Sequence, residues 1–166
     1  MRIAVIGYSG PIDKDPVKSL EEICVQTGRV LAQKDHTIIT GGRDGVMELV
    51  ARGAKEASGT IIGVLPKGAR GNPYNTINLD TGQDYLVRSL VLIHAADMVI
   101  SIGGEVGTLF EIVTSYAYQK PVILFRGTGG WTDRIAPTLI DGYYLDNRRL
   151  TKILQISSIE ELMLHI

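Results

Sequence analysis

Residues 97–112, Asp-Met-Val-Ile-Ser-Ile-Gly-Gly-Glu-Val-Gly-Thr-Leu-Phe-Glu-Ile, decide the fold. The apolar run Asp97–Ile102 reads as a buried strand, and the spacing from Val106 to Tyr118 reads as a helix. Gly103-Gly104-Glu105-Val106-Gly107 joins them. A glycine turn running into a helix delivers free backbone N–H groups at the end where the helix dipole favours an anion. Thr108 adds a hydroxyl at the same corner. The pattern occurs once before, as Gly41-Gly42-Arg43-Asp44-Gly45 between a strand at Thr37–Thr40 and a helix at Asp44–Ser58. Phosphate is the guest both loops suit. Neither loop matches the dinucleotide G-x-G-x-x-G fingerprint or ends in the G-K-[ST] of a P-loop, which argues against an NAD dehydrogenase or an ATP hydrolase.

Outward from these loops the same alternation continues. Residues 2–6 form a first strand, and Asp15-Pro16 is expected to start a helix that runs to about Lys34, with Asp15 as N-cap and Pro16 at the first helical position. Strands follow at Thr60–Leu65 and, more weakly, Thr76–Leu79. Gln83–Ala95 is a helix apolar around most of its circumference. Pro121–Phe125 is a strand, with a helical piece near Trp131–Ile140, a strand at Ile153–Ile156 and a last helix from Ile159. The expected fold is α/β: a Rossmann-like, doubly wound, mostly parallel sheet with helices on both faces, in one domain over residues 1–166. Of 19 glycines, 13 fall just after five of these strands. In such a sheet that edge is the ligand crevice.

Composition bounds the function. The 17 Lys and Arg nearly balance 18 Asp and Glu, for a formal charge of −1. Domains that coat nucleic acid are usually strongly basic. Hydrophobic residues make up 45%, enough for a sizeable core and too many for a disordered chain. A single cysteine, Cys24, permits no internal disulfide and suits a reducing compartment. No apolar run approaches the ~20 residues of a membrane span. The start, MRIAVIG, reads as a strand rather than a signal peptide, so a cytoplasmic location without membrane or nucleic-acid partners is expected.

Glu111 stands three residues beyond Thr108 and four beyond Gly107, on one helical face, and helical side chains lean toward the N-terminus. Its carboxylate therefore leans toward the phosphate corner. Two anions in one pocket need a cation nearby. Arg88, alone among Leu86, Val87, Leu90, Val91, Leu92 and Ile93, is the candidate, because an unpaired buried arginine is costly. The plainer alternatives are glycine turns that hold nothing, a solvated Glu111 and an Arg88 that snorkels to the surface.

The run SIGGEVGTLFEI resembles the PGG-x-GT-x-x-E signature of the LONELY GUY (LOG) family, once labelled lysine decarboxylases. TGGRDGVMELVARGA followed by GTIIGVLP resembles that family's first glycine-rich loop, helix and strand, and the likeness covers about residues 2–125. It implies a Rossmann-like fold and a homodimer or higher homo-oligomer with the site near the subunit interface. It also implies hydrolysis of the N-glycosidic bond of nucleoside 5′-monophosphates to free base and ribose 5-phosphate. The family's catalytic arginine precedes its motif glutamate by the 23 residues that separate Arg88 from Glu111. On this reading Arg88 and Glu111 are catalytic, while Gly41, Gly42, Gly45, Gly103, Gly104, Gly107 and Thr108 hold phosphate and nucleotide. Ile102 replaces the motif proline, Glu105 adds a negative charge to the loop, and Phe110 replaces a frequent glutamate. Thr40 and Glu48 stand where glycines are common. These departures resemble a short bacterial branch of the superfamily, to which the molybdenum-cofactor carrier protein is also similar. There the partner would be a phosphorylated pterin that is bound without turnover. A nucleotide-sensing module is a third possibility.

The histidines, His36, His94 and His165, show no metal-ligand spacing. Neither metal nor resident cofactor is expected. Cys24 reads as core. Ser9 and Thr128 could meet a ligand or cap turns. Trp131 could stack on a ring but is more often packing, and Lys67 could neutralise phosphate or be solvated.

Overall fold

The computed structural model describes all 166 residues. Its strands are β1 (Arg2–Gly7), β2 (Thr37–Thr40), β3 (Ile61–Leu65), β4 (Ile77–Asp80), β5 (Met98–Ile102), β6 (Val122–Phe125) and β7 (Ile153–Ile156). The helices are α1 (Glu21–Gln33), α2 (Val46–Glu56), α3 (Tyr85–Ala95), α4 (Val106–Ala117), α5 (Gly130–Arg134) and α6 (Ile159–Met163). The seven strands form one sheet in the order β4-β3-β2-β1-β5-β6-β7, and every pairing is parallel. The strand order reverses between β1 and β5, and such a switch point opens a crevice at the carboxyl ends of the two strands.

Apart from the exposed edge strand β4, the sheet is buried on both faces, which is why its other strands read as apolar runs. Successive side chains of β1 alternate between the faces. Ile3 and Val5 join α1, α2 and α6 in one core cluster with Cys24, Leu31, Leu49 and Val50. Ala4 and Ile6 join α3 and α4 in the other with Leu92, Ile93 and Ile112. Cys24 is fully buried, and burial pushes its thiol up to about 12. It is therefore expected to resist alkylation at neutral pH until the chain unfolds, which a thiol titration with and without denaturant reads directly.

The expected helix start at Asp15-Pro16 is corrected by the structure. The Asp15–Pro16 peptide is cis, and a 3₁₀ turn at Lys18–Leu20 leads into α1 only at Glu21. Asp15 accepts the Ser19 amide at 3.2 Å, while the Ser19 hydroxyl donates to the Pro16 carbonyl at 2.9 Å. These local bonds close a turn where a helix was anticipated. The 131–140 piece is also broken: α5 gives way to a 3₁₀ turn at Ala136–Thr138. At α3, the apolar circumference is not buried all round. Arg88, Ser89, Leu92 and Ile93 face inward, whereas Tyr85, Leu86, Val87 and Val91 remain exposed. No helix is long and apolar enough to cross a membrane.

Candidate active site at the β1–β5 switch point

A pocket of about 180 Å³ opens where β1 and β5 part. Its floor is the end of β1 through Gly7. A Cβ on Gly7 would lie 2.2 Å from the Ile102 carbonyl oxygen, so only glycine lets the two strand ends converge. Ser9 lines the same floor.

One wall is the start of α4, where Glu105, Gly107, Thr108 and Glu111 line the pocket. No side chain caps this helix, and its first backbone bond runs from the Leu109 amide to the Glu105 carbonyl. The amides of Val106, Gly107 and Thr108 therefore open the helix without internal partners. The Thr108 hydroxyl donates to the Gly7 carbonyl at 3.3 Å.

The other glycines named from sequence separate into two groups. Gly41 and Gly107 line the pocket, while Gly42, Gly45, Gly103 and Gly104 stand behind it. The Gly103 amide is donated to the Thr128 hydroxyl at 2.8 Å, and the Gly42 amide to the Thr40 hydroxyl at 3.0 Å. Those two amides are occupied, so the free donors lie one turn later, at the helix itself. Thr128 also donates to the Phe125 carbonyl at 2.6 Å, so it caps a turn and does not line the pocket. Trp131 lies outside the pocket, its ring beneath the Arg134 guanidinium, and its amide holds the Gly104 carbonyl. Lys67 is exposed and does not line the pocket.

The facing wall is the start of α3. Asp84 caps it by accepting the Leu86 and Val87 amides, both at 2.9 Å. Tyr85, Arg88 and Ser89 then fall on one face at the helical spacings of three and four. Arg88 is only 7% exposed, so it does not snorkel to the surface. A Cβ at Gly41, just after β2, would lie 2.2 Å from an Arg88 guanidinium nitrogen, so a larger residue there would push the Arg88 side chain aside. Asp84→Ala is expected to cost about 1 kcal/mol, the usual value of a lost N-cap. A urea titration measures it, and ligand affinity should fall with it because Arg88 sits one turn beyond the cap.

Arg88 and Glu111 line the same pocket without forming an ion pair. Glu111, 8% exposed, instead accepts the Ser89 hydroxyl on Oε1 at 2.8 Å. Burial pushes its carboxyl above the usual carboxylate range, and the Ser89 hydrogen bond and the Arg88 charge partly reverse that. Arg88 is pulled below the ordinary arginine value by burial, against which Glu111 acts, and Arg43 adds to the lowering. Its Nε is buried without a hydrogen-bond partner. An unsatisfied buried guanidinium nitrogen beside a pocket is rare in folded proteins and marks Arg88 as a candidate ligand contact.

Sequence reasoning passed over Arg43, Tyr85 and Ser89 as pocket residues. The Asp84 cap signal fixes the phase of α3 and could have placed Tyr85 and Ser89 beside Arg88. Arg43 depends on the loop before β4, which no local pattern reveals. Asn72 donates from its side chain to the carbonyls of Gly42 and Arg43, at 3.2 and 2.8 Å, and Asn75 to that of Gly42 at 2.9 Å. These bonds hold the 41–45 loop open toward the pocket.

A parallel doubly wound sheet with a pocket at its switch point defines a Rossmann-like fold with a candidate small-ligand site. The chain belongs to the SLOG cluster4 family of the LOG-like superfamily, whose model matches residues 1–163. It is similar to the X-ray structure of TM1055, with 53% identity, a TM-score of 0.96 and 99% of each chain covered. The molybdenum cofactor binding protein of Rippkaea orientalis is 28% identical, with a TM-score of 0.80, over 99% of this chain and 93% of that one. A cytokinin riboside 5′-monophosphate phosphoribohydrolase of Rhodococcoides fascians is 30% identical over 110 residues, 60% of this chain and 56% of that protein.

Proposed function

We propose that the protein hydrolyses the N-glycosidic bond of nucleoside 5′-monophosphates, releasing base and ribose 5-phosphate. The observation that carries this reading is that a buried carboxyl, Glu111, and a buried guanidinium, Arg88, share a pocket with an uncapped helix N-terminus yet leave each other unpaired. The 5′-phosphate docks on the amides of Val106, Gly107 and Thr108, with the helix dipole behind them. Arg88 meets the ligand beyond the phosphate. As the C1′–N bond lengthens, the ribose becomes oxocarbenium-like. The Glu111 carboxylate stabilises that charge or positions the attacking water, as carboxylates do in glycoside cleavage. Ser89 fixes one carboxylate oxygen and so orients the other.

Because the ionised carboxylate is the working form and burial raises its pKa, turnover should rise with pH along an acid limb placed above the ordinary carboxylate range. A kcat–pH profile checks this, and an acid limb at or below that range contradicts it. Incubation with AMP and related monophosphates, followed by assay of free base, tests the reaction itself.

A second reading is a carrier that binds a phosphorylated pterin such as molybdenum cofactor without turnover. The 28% identity to a molybdenum cofactor binding protein along the whole chain supports it, as does the extra negative charge of Glu105 at the pocket wall. Absence of base release, together with protection of the bound pterin from oxidation, is the result this reading predicts. A nucleotide sensor would bind tightly and give neither outcome.

The apolar outer face of α3, exposed at Leu86, Val87 and Val91, suits burial against a second copy of the chain. A homodimer or larger homo-oligomer is the corresponding expectation, read by light scattering on the eluting protein. A monomer at micromolar concentration contradicts it.

A further inference from the structure

Two guanidiniums, not one, converge on the end of the pocket away from α4. Arg43 lies with its Cζ 5.5 Å from the Tyr85 ring centroid and Arg88 with its Cζ at 6.0 Å. Arg43 also donates to the Tyr85 hydroxyl. The Arg43 charge is felt at Arg88, whose pKa it lowers. Like charges repel, and although Glu111 offsets the charge of Arg88, that of Arg43 is offset only weakly. The carboxylate that pairs with Arg43 is Asp44, through one long contact of 3.6 Å at a half-exposed site. Glu111 is engaged by Ser89, and Glu105 forms no ion pair. Arg88, more than nine-tenths buried, keeps an unpartnered Nε in this corner.

Arg43 and Gly41 follow β2, whereas the free amides follow β5, with β1 between them. Two inter-strand spacings put the arginine corner about 10 Å from the helix N-terminus. That is too far for one phosphate to serve both. It matches the span of a pentose.

We infer that Arg43 and Arg88, meeting on the Tyr85 ring, form a second oxyanion dock, so that the pocket takes an acidic group at each end of a pentose-sized spacer. The inference rests on the phosphate reading of the α4 corner. The second oxyanion is either the far end of the same molecule, as in a pentose bisphosphate, or a free phosphate bound beside a monophosphate. A guanidinium suits either, since it offers paired donors to a planar or tetrahedral oxyanion.

The test is calorimetric titration of the protein and its Arg43→Gln variant with ribose 5-phosphate, ribose 1,5-bisphosphate, and ribose 5-phosphate in the presence of inorganic phosphate. A charge-assisted contact contributes about 10-fold or more in affinity. The wild-type protein should therefore bind the bisphosphate, or the monophosphate with added phosphate, at least about 10-fold more tightly than the monophosphate alone. Which of the two shows the gain identifies the source of the oxyanion. Arg43→Gln should erase the gain while leaving ribose 5-phosphate affinity and the unliganded melting temperature unchanged. Equal wild-type affinity under all three conditions overturns the second dock alone, and so does an equal loss for every ligand in the variant. Failure of the wild-type protein to bind any of them overturns the α4 reading as well.

Discussion

Glu111→Gln is expected to lower base release from AMP by about 10³-fold, the scale on which a positioned carboxylate acts in catalysis. Ligand binding should stay within a few-fold, because glutamine keeps the shape of the side chain and its carbonyl oxygen still accepts the Ser89 hydroxyl. Measurement of kcat beside a calorimetric Kd separates the two effects. Full turnover by the variant removes Glu111 from the chemistry. The same substitution carries a stability signature. A carboxyl whose pKa is raised on folding binds more protons in the native state, so its contribution is present at acid pH and is lost as pH rises through the raised value. Glutamine has no such dependence. The variant should therefore gain stability relative to the wild type between mildly acid and neutral pH, read as a growing difference in urea midpoint. A difference that shrinks over that range contradicts a buried carboxyl with a raised pKa.

Gly28→Ala is expected to destabilise the protein by about 3 kcal/mol, although alanine is the better helix former by about 1 kcal/mol. Two effects oppose each other, and distance decides between them. A Cβ at Gly28 would lie 2.0 Å from the Val50 carbonyl oxygen, and one at Gly53 would lie 1.9 Å from that of Val25. These atoms belong to backbone, so no side chain can rotate away. α1 and α2 cross in contact through this reciprocal glycine pair, and a methyl group on either side forces the helices apart along their length. For a chain of this size the loss corresponds to a fall in Tm of roughly 10 °C. Gly53→Ala should behave alike, and the double variant should cost less than the sum, since one separation relieves both clashes. A Gly28→Ala protein as stable as the wild type refutes the close crossing.

That glycine pair marks where sequence reading stops. Thirteen glycines follow strands and were legible as a ligand edge, but most of them shape turns, and only Gly7, Gly41 and Gly107 line the pocket. Gly28 and Gly53 sit inside helices where local propensity disfavours them. Their reason is a contact between elements that the local sequence does not announce. The strands were legible in outline because each buried one is a short apolar run bounded by glycine, and mostly parallel pairing follows from the crossovers. Asp15-Pro16 misled because an N-cap signal competes with the side-chain bonds of a local turn, and here the turn prevails. Arg88 and Glu111 could be found because each is a charge misplaced in an apolar setting. Their lack of direct pairing could not be read, since it depends on Ser89 reaching Glu111 across two helices. Arg43 sits in an ordinary glycine loop, and only the Asn72 and Asn75 side chains, some thirty residues away, aim it at the pocket.

The central claim is that an anionic ligand group rests on the uncapped amides of α4, with the rest of the ligand reaching between Arg88 and Glu111. A crystal structure of Glu111→Gln with AMP tests it most directly, because the slowed variant should retain intact nucleotide. The account predicts the 5′-phosphate within hydrogen-bonding distance of the Gly107 and Thr108 amides, with the sugar lying between Arg88 and residue 111. A phosphate held elsewhere, with those amides still facing solvent, contradicts it.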